Sequence, residues 1–152
     1  MSEKPTNPKD LVATSKAPLG QIPPVASAWQ SVAHIEGNLK YGLANWREAG
    51  VKAMVYIDAA KRHLDKFRDG QWADPETLVP HLASVAACCN IIIDAMYADK
   101  LIDDRPKSLD PEQIERAYGA VESVVKHLQQ MHADKNPVHQ FITGPAKLKE
   151  DK

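Results

Sequence analysis

The sequence predicts an all-α, four-helix-bundle-like domain behind an extended N-terminal arm. Three observations carry this: four stretches of helical apolar spacing, prolines gathered at their ends and joints, and no convincing strand or internal repeat. A length of 152 residues fits one domain. The composition, 43% hydrophobic and 26% charged, is that of a globular chain able to bury a core.

Residues 1–24 carry Pro5, Pro8, Pro18, Pro23 and Pro24, which bar regular helix and a central strand. Leu11, Val12, Leu19 and Ile22 give this arm apolar points with which to dock on a body, as tail or as lid. The first helix is expected to start near Pro23 or Pro24, because proline suits the first helical turn. It runs to about Tyr41 with Ala28, Val32, Ile35 and Leu39 as its stripe, flanked by Val25, Trp29 and Glu36, and Gly42 stops it. The second spans roughly 51–68, with Ala53, Ile57, Ala60, Leu64 and Phe67 on one face and Asp69-Gly70 at its end. Asp74-Pro75 has the form of an N-cap, but Pro80 disturbs that turn, so the third helix, about 79–99, is expected to begin in earnest near His81.

That third helix is apolar nearly all round. Leu82, Val85, Cys89, Ile92 and Met96 make one stripe, and Ala86, Ala87, Ile91 and Ile93 cover other faces. Such a helix belongs at the centre of a bundle. Asp103 to Pro106 reads as a loop, and Asp110-Pro111 caps a fourth helix, about 111–132. Its face of Ile114, Tyr118, Val121, Val125 and Leu128 either closes the bundle or pairs with another chain. The chain thus divides into an arm (1–24), a helical domain (25–132) and a flexible tail (133–152) containing Pro137, Gly144 and Pro145.

Nineteen basic and twenty acidic residues leave a formal net charge of −1. Nonspecific nucleic-acid binding needs a basic excess, so no nucleic-acid partner is expected. No apolar run approaches the ~20 residues of a membrane span. The opening MSEKPTNPKD lacks the apolar core of a secretory signal, so a cytoplasmic protein without a membrane partner is expected. Adjacent Cys88 and Cys89 cannot bridge each other in a helix and read as reduced core thiols. The phosphate-cradling GxxxxGK[ST], the dinucleotide GxGxxG, HExxH and GxSxG are all absent.

The informative feature is acid where core is expected. Glu36 lies beside the stripe of helix one, Asp58 on the shoulder of helix two, and Asp94 inside the Ile91–Met96 run. Half-buried carboxylates need partners. Either a hard cation such as Mg²⁺ or Mn²⁺ joins them, or they form separate i,i+4 pairs, Glu36 with Lys40 and Asp58 with Arg62. Lys40, Arg47 and Arg62 add cations, and acids with cations suit a metal-bridged phosphate ester. Tyr41 and Trp46, in the break after helix one, either stack on a base or cover the bundle end. His63 and His81 are bases, ligands or packed polar groups.

Four segments together resemble one family. They are Asn7-Pro8-Lys9-Asp10 with Pro18-Leu19 and Ile22-Pro23-Pro24; Glu36-Gly37-Asn38-Leu39-Lys40-Tyr41-Gly42 with Asn45-Trp46-Arg47; Tyr56-Ile57-Asp58 through Arg62-His63-Leu64; and Asp74-Pro75-Glu76 with His81-Leu82 and Cys88. Over about residues 7–106 the chain resembles the phage dATP/dGTP diphosphohydrolases, MazZ-type enzymes related to the MazG-like all-α nucleotide pyrophosphatases. The resemblance implies a helical catalytic domain that hydrolyses a purine dNTP, dGTP favoured and dATP possible, to dNMP and pyrophosphate. It also implies a role in phage nucleotide metabolism within the host cytoplasm, supplying dGMP where 2-aminoadenine replaces adenine in DNA. Mg²⁺ or Mn²⁺ is the implied cofactor, bridging phosphates while water attacks the α-phosphorus.

Carried onto this chain, the implied catalytic residues are Glu36, Asp58 and Glu76, with Glu36 or Glu76 orienting the water. The implied metal ligands are Glu36, Asp58, His81 and Asp94. Substrate binding falls to Lys9, Lys16, Lys40, Asn45, Trp46, Arg62 and His63, with the arm helping to form the base pocket. Asp10, Gln21 and Glu48 are acceptors available to a guanine edge. The sequence departs from the paired acidic motifs of MazG-like relatives, since Leu39 stands three residues after Glu36 and Lys61 three after Asp58; Ser84 stands three after His81, where the resemblance implies a second histidine. Apolar surface in excess of what four short helices cover points to a homo-oligomer, dimer or tetramer.

Overall fold

The computed structural model describes Asn7, Lys9 and residues 16–141. Leu11, Val12, Asp10, Gly144 and Pro145, named above, lie outside the described residues. The chain is mainly helical. A single 3-10 turn, Leu19–Gln21, precedes α1 (Pro24–Tyr41). Then come α2 (Trp46–Ala49), β1 (Val51–Lys52), α3 (Ala53–Arg68), α4 (His81–Tyr97), β2 (Leu101–Ile102) and α5 (Pro111–Met131). Among the described residues no helix is long and apolar enough to cross a membrane.

The ends follow from local chemistry. Proline opens α1, and Gly42, with φ +95°, closes it as its N–H donates to the Asn38 carbonyl at 2.9 Å. Gly50 permits a close approach: a Cβ there would stand 3.0 Å from the Lys100 carbonyl oxygen. That proximity lets Val51 N–H donate to Lys100 at 3.0 Å and start a two-residue parallel pairing, Val51 with Leu101 and Lys52 with Ile102. Asp104 then accepts the Met54 N–H at 2.8 Å and so caps α3 from fifty residues downstream. Asp110 caps α5, with Gln113 reaching back in a capping box.

Helix α4 is central: it packs most extensively on α3 and next on α1. On α3 the buried residues, Ala53 and Ala60, belong to the expected stripe; on α1 and α4 the expected stripes are not the buried ones. The inner face of α1 carries Trp29, Ala33 and Glu36, while Val32, Ile35 and Leu39 are exposed, Leu39 at 84%. On α4 the buried residues are His81, Ala83, Ala87 and Ala95, while Leu82, Cys89 and Met96 face outward. Small side chains let α1 and α4 approach closely around Ala33, Val79, Ala83 and Ala87, with Trp29 against them. The same choice leaves the bulky apolar residues outside.

Two further expectations change. Cys88 is half-buried, but Cys89 is exposed, so only the first is a core thiol; both are free. Helix α5 does not close the bundle, since none of its residues is buried and only Ile114 is half-buried. In the arm, Leu19 and Ile22 are exposed.

Candidate active site

Two adjacent depressions lie along the α1–α4 seam. The first, a cleft of about 200 Å³, is walled by Trp29 and Trp72 with Pro80, Leu82 and Ala83, and Gln30 supplies a polar edge. The Trp72 Nε1–H is buried without a hydrogen-bond partner. Further along both helices a more open recess of about 150 Å³ is lined by Glu36, Lys40, Tyr41, His63, Ser84 and Cys88. Sequence reasoning named Glu36, Lys40 and His63, but passed over Trp29 as a cleft residue and did not consider Trp72. The available signal was the third tryptophan of the chain, set between Gly70 and Pro75 in the turn before α4.

In the recess Lys40 Nζ donates to Glu36 Oε1 as an i,i+4 pair. Glu36 first, with smaller contributions from Tyr41 and Glu76, holds the Lys40 ammonium above its ordinary pKa. His63 and His81 meet nitrogen to nitrogen, Nδ1 to Nδ1 at 2.9 Å. His81 Nε2 lies 2.9 Å from Gln71 Oε1, and His81 is completely buried. Burial foremost pushes both imidazoles below their usual pKa, helped by their cationic neighbour Lys66 and, at His63, by His81 itself. Both therefore favour the neutral form. Burial raises the Cys88 thiol and Arg62 works against that rise, so Cys88 is not a primed thiolate.

The turn before α4 is built to carry Gln71 and Trp72. Asp74 accepts the N–H groups of Glu76 and Thr77 at 3.1 Å each, and these bonds, Thr77 foremost, hold its carboxyl below the usual range. Trp72 O accepts the His81 N–H at 3.0 Å, which fixes the turn against the start of α4.

Several expected site residues stand elsewhere. Asp94 is not with Glu36: it accepts Trp46 Nε1–H at 2.6 Å and both Arg47 Nε–H and Nη2–H at 2.7 Å. These partners, Arg47 foremost, lower its pKa to about 2. Trp46 is therefore a clamp on α4, its ring beside His34 at 5.9 Å, rather than a base-stacking platform. His81 has both ring nitrogens engaged and offers neither to a metal. Asp58 and Arg62 are exposed and unpaired with each other; Lys61 pairs with Asp65 at 3.5 Å instead. Glu76, Lys9, Lys16, Gln21 and Glu48 are exposed, and half-buried Asn45 precedes α2 without a side-chain cap bond. None of them lines the recess or the cleft.

Among the described residues no three His, Cys, Asp or Glu side chains converge on one point. A resident ion in an all-protein cage does not fit this arrangement.

The family model for the N-terminal part of dATP/dGTP diphosphohydrolases matches residues 6–105. That span holds α1 to α4, the cleft and the recess, and ends before α5. A dATP/dGTP diphosphohydrolase of Salmonella phage PMBT28 is 31% identical over 109 residues, which are 72% of this chain and 37% of that protein. The chain thus spans little more than a third of that curated relative. No solved structure matches. With the match covering the whole helical body that forms both depressions, the chain belongs to the dATP/dGTP diphosphohydrolase family through its N-terminal region.

Proposed function

We propose that the protein hydrolyses a purine dNTP to dNMP and pyrophosphate, the base in the Trp29/Trp72 cleft and the triphosphate in the Glu36/Lys40/His63 recess. The supporting observation is that both depressions are lined by α1 and α4, within the segment that matches the family. Indoles stack on any base, and the Gln30 amide offers a donor and an acceptor to a purine edge. Either purine can use both, guanine through N1–H and O6 and adenine through N6–H₂ and its ring nitrogen, so this edge serves dGTP and dATP alike.

The substrate in this reading is the Mg²⁺ or Mn²⁺ salt of the nucleotide. Magnesium commonly keeps several waters and takes one or two carboxylates plus substrate phosphates, and Glu36 is the carboxylate lining the recess. Lys40 neutralises charge on the departing pyrophosphate, the kind of electrostatic stabilisation that dominates phosphoryl chemistry. The product dGMP would suit synthesis of 2-aminoadenine DNA, as the resemblance implies. A nucleotide-binding module without catalysis is the alternative, favoured by the lack of three converging donors among the described residues.

Incubation with each of the four dNTPs, with Mg²⁺ and separately with Mn²⁺, and ion-pair chromatography of the products tests this. Monophosphate and pyrophosphate from dGTP or dATP support it. Diphosphate with orthophosphate moves attack to the γ-phosphorus, and no product from any dNTP leaves the binding module.

We also infer self-association. The described residues leave the outward apolar faces of α1 and α4, and α5 apart from half-buried Ile114, uncovered. A second copy is the occupant they fit, because an amphipathic helix draws most of its stability from packing.

A further inference from the structure

The two histidines carry more than packing, because a nitrogen-to-nitrogen contact between imidazoles admits one proton only. Gln71 Oε1 has no hydrogen, so the 2.9 Å bond to His81 Nε2 requires a proton on that nitrogen. His81 is fully buried among groups that disfavour its cationic form, and a neutral imidazole holds a single ring proton. His81 Nδ1 is then a bare acceptor. The proton in the 2.9 Å contact must sit on His63 Nδ1. His63, neutral as well, is left with an unprotonated Nε2, and its ring lines the recess beside Glu36, Lys40 and Ser84.

The rest of the fold holds this chain of bonds in place. Gly70, with φ +90°, turns the backbone out of α3, and the Gln71 N–H donates to Lys66 O at 3.0 Å. The His81 N–H donates to Trp72 O, so the residues flanking the relay are tied to each other through the backbone.

We propose that His63 is the general base of the recess, and that His81 and Gln71 are positioning residues that fix its tautomer with Nε2 bare. The proposal rests on the hydrolase reading above and assigns the proton in it. Water forms the new bond to the α-phosphorus and its proton passes to His63 Nε2. The bond from the α-phosphorus to the bridging oxygen breaks, and the electron pair leaves on pyrophosphate. Neither Glu36, paired with Lys40, nor the exposed Glu76 is required as base.

Long-range ¹H–¹⁵N correlation on the full chain with labelled histidine, without nucleotide, reads the tautomers directly. The expected spectrum has His63 protonated at Nδ1 and His81 at Nε2. His63 protonated at Nε2, as follows if the Gln71 amide nitrogen is the partner of His81, overturns the proposal. Two variants test the consequence with Mg·dGTP. His63→Gln is expected to lower kcat by roughly 10²–10⁴-fold with little change in KM. Gln71→Ala is expected to release the His63 tautomer in the spectrum and to lower kcat in step, with helical circular dichroism unchanged. Undiminished kcat in His63→Gln, in a wild type that turns over, overturns the proposal and leaves the hydrolase reading standing. A wild type inert toward all four dNTPs overturns the hydrolase reading and the base with it, whatever the tautomer.

Discussion

Arg47 grips Asp94 through two hydrogen bonds of 2.7 Å each, forty-seven residues apart in the chain. Trp46 adds a third at 2.6 Å on the same carboxylate. These bonds tie the joint between α1 and α3 to the C-terminal half of α4. The paired fork of a guanidinium on a carboxylate is the most directional of side-chain contacts. Here it holds α2 against α4.

Asp94→Asn is therefore expected to lower the thermal midpoint while leaving the histidine tautomers unchanged. The loss has a defined pH dependence. The folded carboxyl titrates at about 2 against an ordinary 3.8, so its stabilisation is fully present above 3.8 and is lost as pH falls through about 2. The difference in midpoint between wild type and Asp94→Asn should be constant near neutral pH and shrink across that window. A gap that stays the same down to pH 2 would remove the ion pair as its cause.

Much of the fold was legible because helix ends announce themselves. Pro24, Gly42, Asp69-Gly70, Pro80 and Asp110-Pro111 place the four long helices within a few residues of where they stand. The two-residue strands and the single turn of α2 escaped, since so few residues show no periodicity. Ala53 and Ala60 of the expected α3 stripe are buried, but the α1 and α4 stripes failed for a physical reason: hydrophobic spacing marks an apolar face but not which apolar face this chain buries. Ala33, Ala83 and Ala87 win the inside because close helix contact requires small residues. The acids misled in the same way. Glu36 faces a recess and Asp94 a clamp, though both read as acids in a core, because only tertiary contacts distinguish them. The His63–His81 contact joins residues on different helices and no spacing reveals it.

In the recess, Lys40→Ala is expected to reduce kcat by about 10²-fold, the usual cost of removing one preorganised charge stabiliser. Its thermal midpoint should barely move, because exposed i,i+4 pairs contribute little to folding. Glu36→Gln should likewise slow turnover and raise the Mg²⁺ needed for half-maximal rate. Steady-state kinetics over a magnesium series checks both. Full activity in Lys40→Ala would reduce the Glu36–Lys40 pair to a solvated helix face.

The cleft makes a prediction that needs no turnover. Trp29→Ala should weaken binding of purine dNTP by about 1–3 kcal/mol, the range for a base–aromatic stack. Titration calorimetry with Ca²⁺ in place of Mg²⁺ measures this on an uncleaved complex. Trp46→Phe is the informative control: that indole is committed to Asp94, so the variant should lose stability but keep affinity. Equal loss of affinity in both variants would move the base site away from Trp29.

The outward apolar faces give the last prediction. Leu39 is 84% exposed on α1, and Val121, Val125 and Leu128 stand open along α5. Their 4-3 spacing on α5 is that of a helix seam. Leu39→Glu and Val125→Glu place a charge on each face without touching the recess. If both faces meet a second copy, sedimentation should show a smaller particle for either variant, with helix content retained for Leu39→Glu. Val125→Glu should also lose part of the α5 signal, because none of that helix's residues is buried among the described residues. A wild type that sediments as a single chain would leave both faces exposed in solution and dismiss self-association, while the cleft and recess, built within one chain, would be unaffected.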